Sequence, residues 1–311
     1  MKSIITKQFQ LLTDVNRVWD FMTEVYQPDR SNGVPAPFFE YALSSSWLDK
    51  NYLFMDRLWL DGDQVVAFAF YEEPCTSVFV NLRPGYEALA DAIIEYGEMG
   101  MPRFNGEKEF VFFPGQTALI EAAKRRGYGL AHDERDFEFD FADGTLDHPL
   151  PDGFHFVEPT PTNVDPLKLA ICFWKGFDHG ERAPFEHWEE RITGAEWGVQ
   201  RSYYGVLGET VAPPPHSTYE HNVIIADEAG EYACFSGMWW VPENKLAYME
   251  PLCTIPEYQH RGLATAALSR HVRRLRPLGA ERMTGGGNPF YQKIGFEREI
   301  HWLHFKKEQN L

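Results

Sequence analysis

Tyr248-Met-Glu-Pro-Leu-Cys-Thr-Ile-Pro-Glu-Tyr-Gln-His-Arg-Gly-Leu-Ala264, followed by a helical stretch and closed by Gly285-Gly-Gly-Asn-Pro-Phe-Tyr-Gln-Lys-Ile-Gly-Phe296, is the part of the chain around which the rest is organised. An apolar strand over 246–254 feeds a short loop ending in Gln259 to Ala264, and a helix begins there directly. Such a helix start presents backbone N–H groups with no partner inside the helix. Together with the positive end of the helix dipole they suit a phosphate or pyrophosphate, and Gly262 and Ala264 are small enough to let a ligand approach the backbone. Beyond the loop, Ala264, Ala267, Leu268, His271, Val272 and Leu275 recur with helical period on one face, while Ser269, Arg270, Arg273 and Arg276 take the other.

Gln259-x-x-Gly262-x-Ala264 after a strand resembles the acetyl-CoA pyrophosphate loop of the GNAT superfamily of N-acetyltransferases, whose pattern is Arg or Gln, two residues, Gly, one residue, Gly or Ala. The next segments follow in the family's order: a strand near 280–284, then Asn288-Pro-Phe-Tyr291-Gln-Lys-Ile-Gly-Phe296, similar to the family's Asn…Phe-Tyr-x-Lys-x-Gly-Phe close. The family has several more helical residues between that Asn and the Phe-Tyr pair, so the Gly285–Gly287 run implies a short or displaced helix here. The resemblance implies acetyl-CoA as cosubstrate, held at Gln259, His260, Arg261, Gly262, Leu263, Ala264 and Asn288. It also implies that backbone groups of Leu252, Cys253 and Thr254 hold the thioester carbonyl and the pantetheine arm; Pro251 suits a strand that stops pairing there.

Acyl transfer to an amine requires a group to take the amine proton and another to protonate the departing thiolate. Glu250 is the candidate base. In a regular strand it shares a face with Tyr248, Leu252 and Thr254, and apolar neighbours raise a carboxylate's pKa; the alternative is a carboxylate on the solvated face. Tyr291, by match to the family's Phe-Tyr pair, is the candidate acid, against the alternative of a packed core tyrosine. Cys253 as a covalent acyl carrier has no histidine near it in sequence.

The chain has 311 residues, a length that favours two domains, with 29 Lys and Arg against 46 Asp and Glu and a net charge of -17. That balance argues against nucleic acid or an anionic membrane as the main partner, and suits a small-molecule or peptide amine acceptor. Within 259–282 the sign reverses, with six Arg against one Glu, and the reading is either a phosphate-binding patch or a solvated helix face. No apolar run reaches transmembrane length and the start Met1-Lys-Ser-Ile-Ile-Thr-Lys7 is too polar for a signal peptide, so a cytoplasmic protein is expected. Four scattered cysteines, Cys75, Cys172, Cys234 and Cys253, read as reduced thiols. The pairs His179/His187 and His216/His221 lack a third ligand nearby, and no metal is expected.

The first half repeats the order of elements in weaker form. Residues 15–27 read as helix, 52–60 and 64–71 as a hairpin across Asp61-Gly62-Asp63, and 77–82 as a strand. A helix follows with Leu89, Ala92, Ile93 and Tyr96 on one face, then a strand at 110–113, a helix at 116–126 and a closing strand at 136–141. Arg126-Gly-Tyr128 stands 168 residues before Ile294-Gly-Phe296, which suggests an internal duplication. Asn81-Leu-Arg-Pro-Gly-Tyr86, in the place of the phosphate loop, has a proline without an N–H and a single glycine, so the first copy has lost cofactor binding.

The second half opens with a strand at 154–157 and a helical region at about 164–192, whose Phe173, Trp174, Phe177, Phe185 and Trp188 are either a core stripe or a wall of the acceptor site. Strands at 219–226, 231–241 and 246–254 then form an antiparallel meander. The fold class expected is α+β. It comprises two GNAT-like domains, 1–142 and 153–311 with a linker at 143–152, each a mostly antiparallel mixed sheet flanked by helices. Two other function classes remain open from sequence: a non-catalytic CoA-binding sensor or scaffold, and an acyltransferase using another acyl chain or a non-amine acceptor.

Overall fold

The computed structural model describes residues 4–44, 48, 50–72, 77–101, 108–160, 163–178 and 214–307. The expectations for Cys75, His179, Phe185, His187 and Trp188 lie outside these. In chain order the elements begin β1 (Ile4–Gln8), α1 (Leu11–Val25), α2 (Ala36–Ser44), β2 (Arg57–Asp61), β3 (Gln64–Tyr71), β4 (Ser77–Leu82), α3 (Ala90–Met99), β5 (Glu109–Phe112), α4 (Thr117–Arg125) and β6 (Tyr128–Asp140). They continue with β7 (Phe154–Val157), α5 (Pro166–Gly176), β8 (Val223–Asp227), β9 (Tyr232–Ser236), β10 (Trp239–Val241), β11 (Leu246–Tyr248) and β12 (Leu252–Thr254). Last come α6 (Leu263–Leu275), β13 (Arg282–Thr284), α7 (Pro289–Lys293) and β14 (Arg298–Lys307). No helix among the described residues is long and apolar enough to cross a membrane.

Two compact units result: Met1–Leu43, Trp47–Asp136 and Glu299–Leu311 form one, and Ser44–Ser46 with Phe137–Arg298 the other. Unlike the bounds 1–142 and 153–311 read from sequence, this division places the C-terminal strand with the first unit. The strand–helix–strand–helix–strand order recurs. In the first half of the chain α3 connects β4 to a parallel β5, followed by α4 and β6; in the second half α6 leads to β13, which is parallel to β11, followed by α7 and β14.

In the first unit β1, β2, β3 and β4 pair antiparallel in sequence, β5 joins β4 in parallel, and β14 pairs antiparallel with β5 in the register Leu303↔Phe112. The unalternating run Val65-Val-Ala-Phe-Ala-Phe-Tyr71 is buried throughout because both of its faces are covered. Phe39 meets Phe68 edge-on at 5.1 Å. Several sequence expectations need correction: Lys50–Met55 is a 3-10 helix, so the strand read at 52–60 begins only at Arg57, and Tyr219–His221 is a 3-10 turn, so the strand read at 219–226 begins only at Val223. The buried face of α3 is Ala90, Ile93, Ile94 and Gly97, with Ala92 exposed. Helix α2 has no counterpart among the elements read from sequence; its Pro37 lies in the first turn, where proline is tolerated. Strand β6 begins at Tyr128 rather than 136, and its exposed charged start carries no apolar alternation to signal it.

The second unit holds one antiparallel set ordered β12, β9, β8, β7. It also holds a set in which β11 pairs antiparallel with β10 and parallel with β13, while β13 pairs with the last residues of β6, Met283↔Phe139. Two segments read as single strands are each broken, 231–241 at Gly237-Met238 and 246–254 at Met249-Glu250-Pro251. Both breaks lie side by side: Gly237 N–H donates to Pro251 O at 2.8 Å and Glu250 N–H to Gly237 O at 3.3 Å. Pro251 has no ladder donor, and a Cβ on Gly237 would fall on the Glu250 carbonyl, so only glycine admits this crossing.

Helix α6 is packed on two sides. Leu263 and Ala267 join Val223, Ile225 and Cys234, while Leu268, Val272 and Leu275 join Phe139, Ala247 and Met283. Ser269, placed by sequence on the solvent face, is fully buried, its Oγ accepting from His148 N–H at 2.9 Å. His271 is buried as well, with Nε2 at 2.9 Å from Ser236 Oγ. Burial, then the charge of Arg274, lowers its pKa to about 3. The folded state thus keeps a neutral imidazole where the unfolded chain, with an ordinary value of 6.5, takes a proton. The stability this provides is full above that ordinary value and is lost as pH falls towards about 3. Denaturant titrations across this window should show stability declining with acid, and the slope should be smaller in His271→Gln.

Candidate active site

The chain leaves one strand set and enters the other between Tyr248 and Leu252. Strand β11 lies parallel to β13 through Leu246↔Arg282 and Ala247↔Met283, and there the pairing stops. Met249 N–H donates to the Thr284 hydroxyl at 2.7 Å, a side chain standing where the next ladder bond would be. Past this point β12 pairs only with β9, and no strand covers its other edge among the described residues. On the far side the chain continues from β13 into Gly285, whose N–H donates to Phe137 O at 2.8 Å. The two parallel strands have parted.

Alternation along β12 decides which backbone groups face the open edge. Pro251 O and Ile255 N–H bond to Gly237 and Ala233 at 2.8 and 3.0 Å, so period two turns Cys253 N–H and C=O towards Phe235. The expectation for Leu252 to Thr254 therefore narrows to Leu252 and Thr254, whose backbone groups turn away from β9. Thr254 O accepts from Gln259 Nε2 at 3.2 Å, which fixes the start of the loop against the edge. Cys253 itself is buried, its Sγ 3.9 Å from Cys172 O, a poor position for an acyl carrier. Cys172, Cys234 and Cys253 are free thiols, and burial holds Cys234 up at about 12.

His260 and Gly262 adopt left-handed backbone, φ 60 and 86, bringing the chain into α6 with Gly262 as the residue before the first turn. The first intrahelical bond runs from Ala266 N–H to Gly262 O at 2.9 Å, so the N–H groups of Leu263, Ala264 and Thr265 point out of the helix start. A Cβ on Gly262 would lie 2.5 Å from His148 Nε2. Arg261 is exposed, its guanidinium 5.1 Å from the Tyr258 ring centre. The other arginines of the basic run have partners in this unit. Arg270 and Arg274 meet Glu158 at 2.5 and 3.1 Å, Arg273 meets Asp147 at 3.0 Å, Arg276 donates to Gly144 O at 2.8 Å and Arg282 meets Asp140 at 2.6 Å. The phosphate-patch expectation thus reduces to Arg261 with the helix start.

Glu250 is half-buried at the strand break, in the cis peptide Glu250–Pro251. The regular strand that would align it with Tyr248, Leu252 and Thr254 is absent, because β11 and β12 belong to different strand sets; the irregular crossing, not period two, places Glu250 beside the parted strands. Asn288 caps α7 by accepting from Phe290 N–H at 2.9 Å, and the helix is only five residues long, as the Gly285–Gly287 run implied. Tyr291 is 9% exposed, with its ring between Phe290 and Phe296, 5.2 Å from each, and the bare backbone of Gly285 and Gly286 against it. Of the aromatic residues proposed as an acceptor wall, Phe173 packs on Phe235 at 4.8 Å and Phe177 is exposed.

The parted strands and the helix start lie within residues 183–296, which match the model of the acetyltransferase (GNAT) family. The chain carries that match over these residues alone. Its fold neighbours extend over nearly the whole chain. A GCN5-related N-acetyltransferase from Sphaerobacter thermophilus matches with a TM-score of 0.54 at 13% identity, over 98% of this chain and 95% of that one. A GNAT-family acetyltransferase from Colwellia psychrerythraea has a TM-score of 0.54 at 10% identity, over 98% and 100%. A tandem GNAT protein from the clavulanic acid biosynthesis pathway has a TM-score of 0.54 at 12% identity, over 98% of both chains. At these identities the likeness is one of fold. No curated protein matches the sequence. The family match supports acyl transfer as the class of chemistry at this site.

The first unit treats the equivalent place differently. The gap beyond the β4–β5 pairing is bridged by buried Gln116, which accepts from Phe113 N–H at 3.1 Å and donates to Val80 O at 2.8 Å. In the loop before α3, Gly85 N–H donates to the Glu87 carboxylate at 2.9 Å and Arg83 is held bidentate by Glu24 at 2.6 and 2.7 Å. Internal carboxylates thus engage the donors that a phosphate would need.

Proposed function

We propose that this chain is an acetyl-CoA-dependent N-acetyltransferase acting in the cytoplasm on a primary amine of a small molecule or peptide. The observation that carries the reading is the parting of β11 and β13 beside the left-handed turn at Gly262. The outward N–H groups of Leu263, Ala264 and Thr265 suit the pyrophosphate, with Arg261 adding charge. The open edge at Leu252 and Thr254 suits the amide-bearing pantetheine arm, laid against β12 as a further strand would be. The acyl carbonyl then comes to the gap next to Glu250.

Glu250 takes the amine proton as nitrogen attacks the thioester carbon. The C–N bond forms, the C–S bond breaks, and the Tyr291 hydroxyl protonates the departing thiolate. Calorimetry with acetyl-CoA should give one site per chain, because the first unit's loop donors are already engaged by Glu87 and Glu24. Release of CoA thiol over a panel of amines identifies the acceptor. Two equivalent acetyl-CoA sites, or none, would overturn this assignment. Tight binding without turnover on any amine would favour the sensor reading, and preference for a longer acyl-CoA would change the donor.

A further inference from the structure

Three polar side chains converge on one face of the first unit's sheet, apart from anything the acetyl-transfer reading uses. His132 and Glu134 are two residues apart on β6 and so project from the same face, and β14 contributes His304 from the neighbouring strand. His132 Nε2 lies 3.2 Å from Glu134 Oε1, and His304 Nε2 lies 3.7 Å from Glu134 Oε2. The two imidazole rings stack with centres 4.0 Å apart and planes inclined by 15°. One donor atom from each of the three residues lies within 4.8 Å of the other two.

The arrangement extends one layer deeper. The second nitrogen of His304, Nδ1, is buried and stands 3.4 Å from Glu109 Oε1. Glu109 is buried on β5 and anchored there: Ser77 Oγ donates to its Oε1 at 2.6 Å and Lys306 Nζ lies 3.3 Å from its Oε2. A histidine whose inner nitrogen faces a fixed carboxylate and whose outer nitrogen faces other donors has the carboxylate–histidine–metal pattern, in which the carboxylate sets the tautomer and orients the ring.

We propose that His132, Glu134 and His304 form a site for a divalent transition metal ion of the zinc class, with Glu109 holding His304 from behind. Two imidazoles and a carboxylate are the donor set that Zn²⁺ accepts and that the harder Mg²⁺ and Ca²⁺, which prefer all-oxygen ligands, do not. Zinc–ligand bonds of about 2.0–2.1 Å at tetrahedral angles place donors about 3.3 Å apart. The 3.2 and 3.7 Å separations are near that value; because the two rings stack, the exposed His132 side chain must rotate out of the stack to aim its nitrogen at the ion, which leaves a fourth position for water. His132 and His304 are 172 residues apart in sequence, which is why no spacing motif announces the site. An ion bound there would tie the C-terminal strand β14 to β6 and stabilise the folded unit by mass action.

The test uses the full chain freed of metal with a chelator, titrated with ZnCl₂ by calorimetry and melted with and without the ion. One Zn²⁺ per chain should bind and Tm should rise. In His132→Gln and Glu134→Gln, both at exposed positions where the fold tolerates change, affinity should fall at least about tenfold and the rise in Tm should vanish. In Glu109→Gln affinity should fall about 10–100-fold, the range for outer carboxylates behind a metal-bound histidine. Acetyl-CoA binding should be the same in all three variants. Absence of saturable Zn²⁺ binding by the parent would overturn the site, as would one-equivalent binding that persists unchanged in both His132→Gln and Glu134→Gln.

Discussion

Glu250→Gln should lower amine acetylation by about 10²–10⁴-fold, the range for a general base, with acetyl-CoA affinity nearly unchanged. The glutamine keeps size and shape at the point where the chain crosses between strand sets, so the crossing bonds from Gly237 and to Gly237 are retained. What is lost is the capacity to accept a proton. The acidic limb of the rate profile, which reports a carboxylate that must be ionised, should disappear in this variant. Tyr291→Phe makes the companion measurement. Its ring contacts with Phe290 and Phe296 survive the change, so Tm should hold while turnover falls by about the same 10²–10⁴-fold and the basic limb is altered. Parent-like turnover by Glu250→Gln would place the base elsewhere or mean that the amine arrives neutral.

Gly262→Glu is expected to abolish acetyl-CoA binding. A carboxylate at the helix start sets like charge against the pyrophosphate at a cost of several kcal/mol, about two powers of ten or more in Kd. The same substitution also strains the fold, because φ is 86 and the new Cβ meets His148. Forcing a side chain into left-handed backbone costs roughly 1–2 kcal/mol, and in a unit of this size each kcal/mol lowers Tm by about 2–4 °C. Gly279→Glu separates the two effects. Gly279 has φ 89 with nothing near its would-be Cβ, so the substitution carries the backbone strain without the loop. It should lower Tm similarly and keep acetyl-CoA binding. Retained binding in Gly262→Glu would remove the loop assignment.

The parts of the fold legible in sequence are those whose signals are local. The apolar run of β3, the exact bounds of β4 and β7, the helix after Gly262 and the short helix after Asn288 follow from alternation, helical period and capping over a few residues. The parts misread are those where a neighbour outweighs the local pattern. Ser269 looks solvent-facing by helical period, yet the segment carrying His148 covers it. The six-arginine run looks like free positive charge, yet Glu158, Asp147 and Asp140, all more than a hundred residues away in sequence, neutralise most of it. The long strand β6 hides its first half because an exposed charged strand lacks the alternation that a half-buried one shows.

By itself the sequence determined the family-like loop Gln259-x-x-Gly262-x-Ala264, the α+β class and the repetition of element order, because each is written in residues adjacent along the chain. Only the tertiary structure decided that 246–254 is two strands, that Leu252 and Thr254 rather than Cys253 turn their backbone to the open edge, and that β14 belongs to the first compact unit. The convergence of His132, Glu134 and His304 is of the same kind. The physical reason is common to all of these. Strand pairing is a bond between distant segments, and which edge of a strand is covered depends on the partner that arrives there, not on the residues of the strand itself.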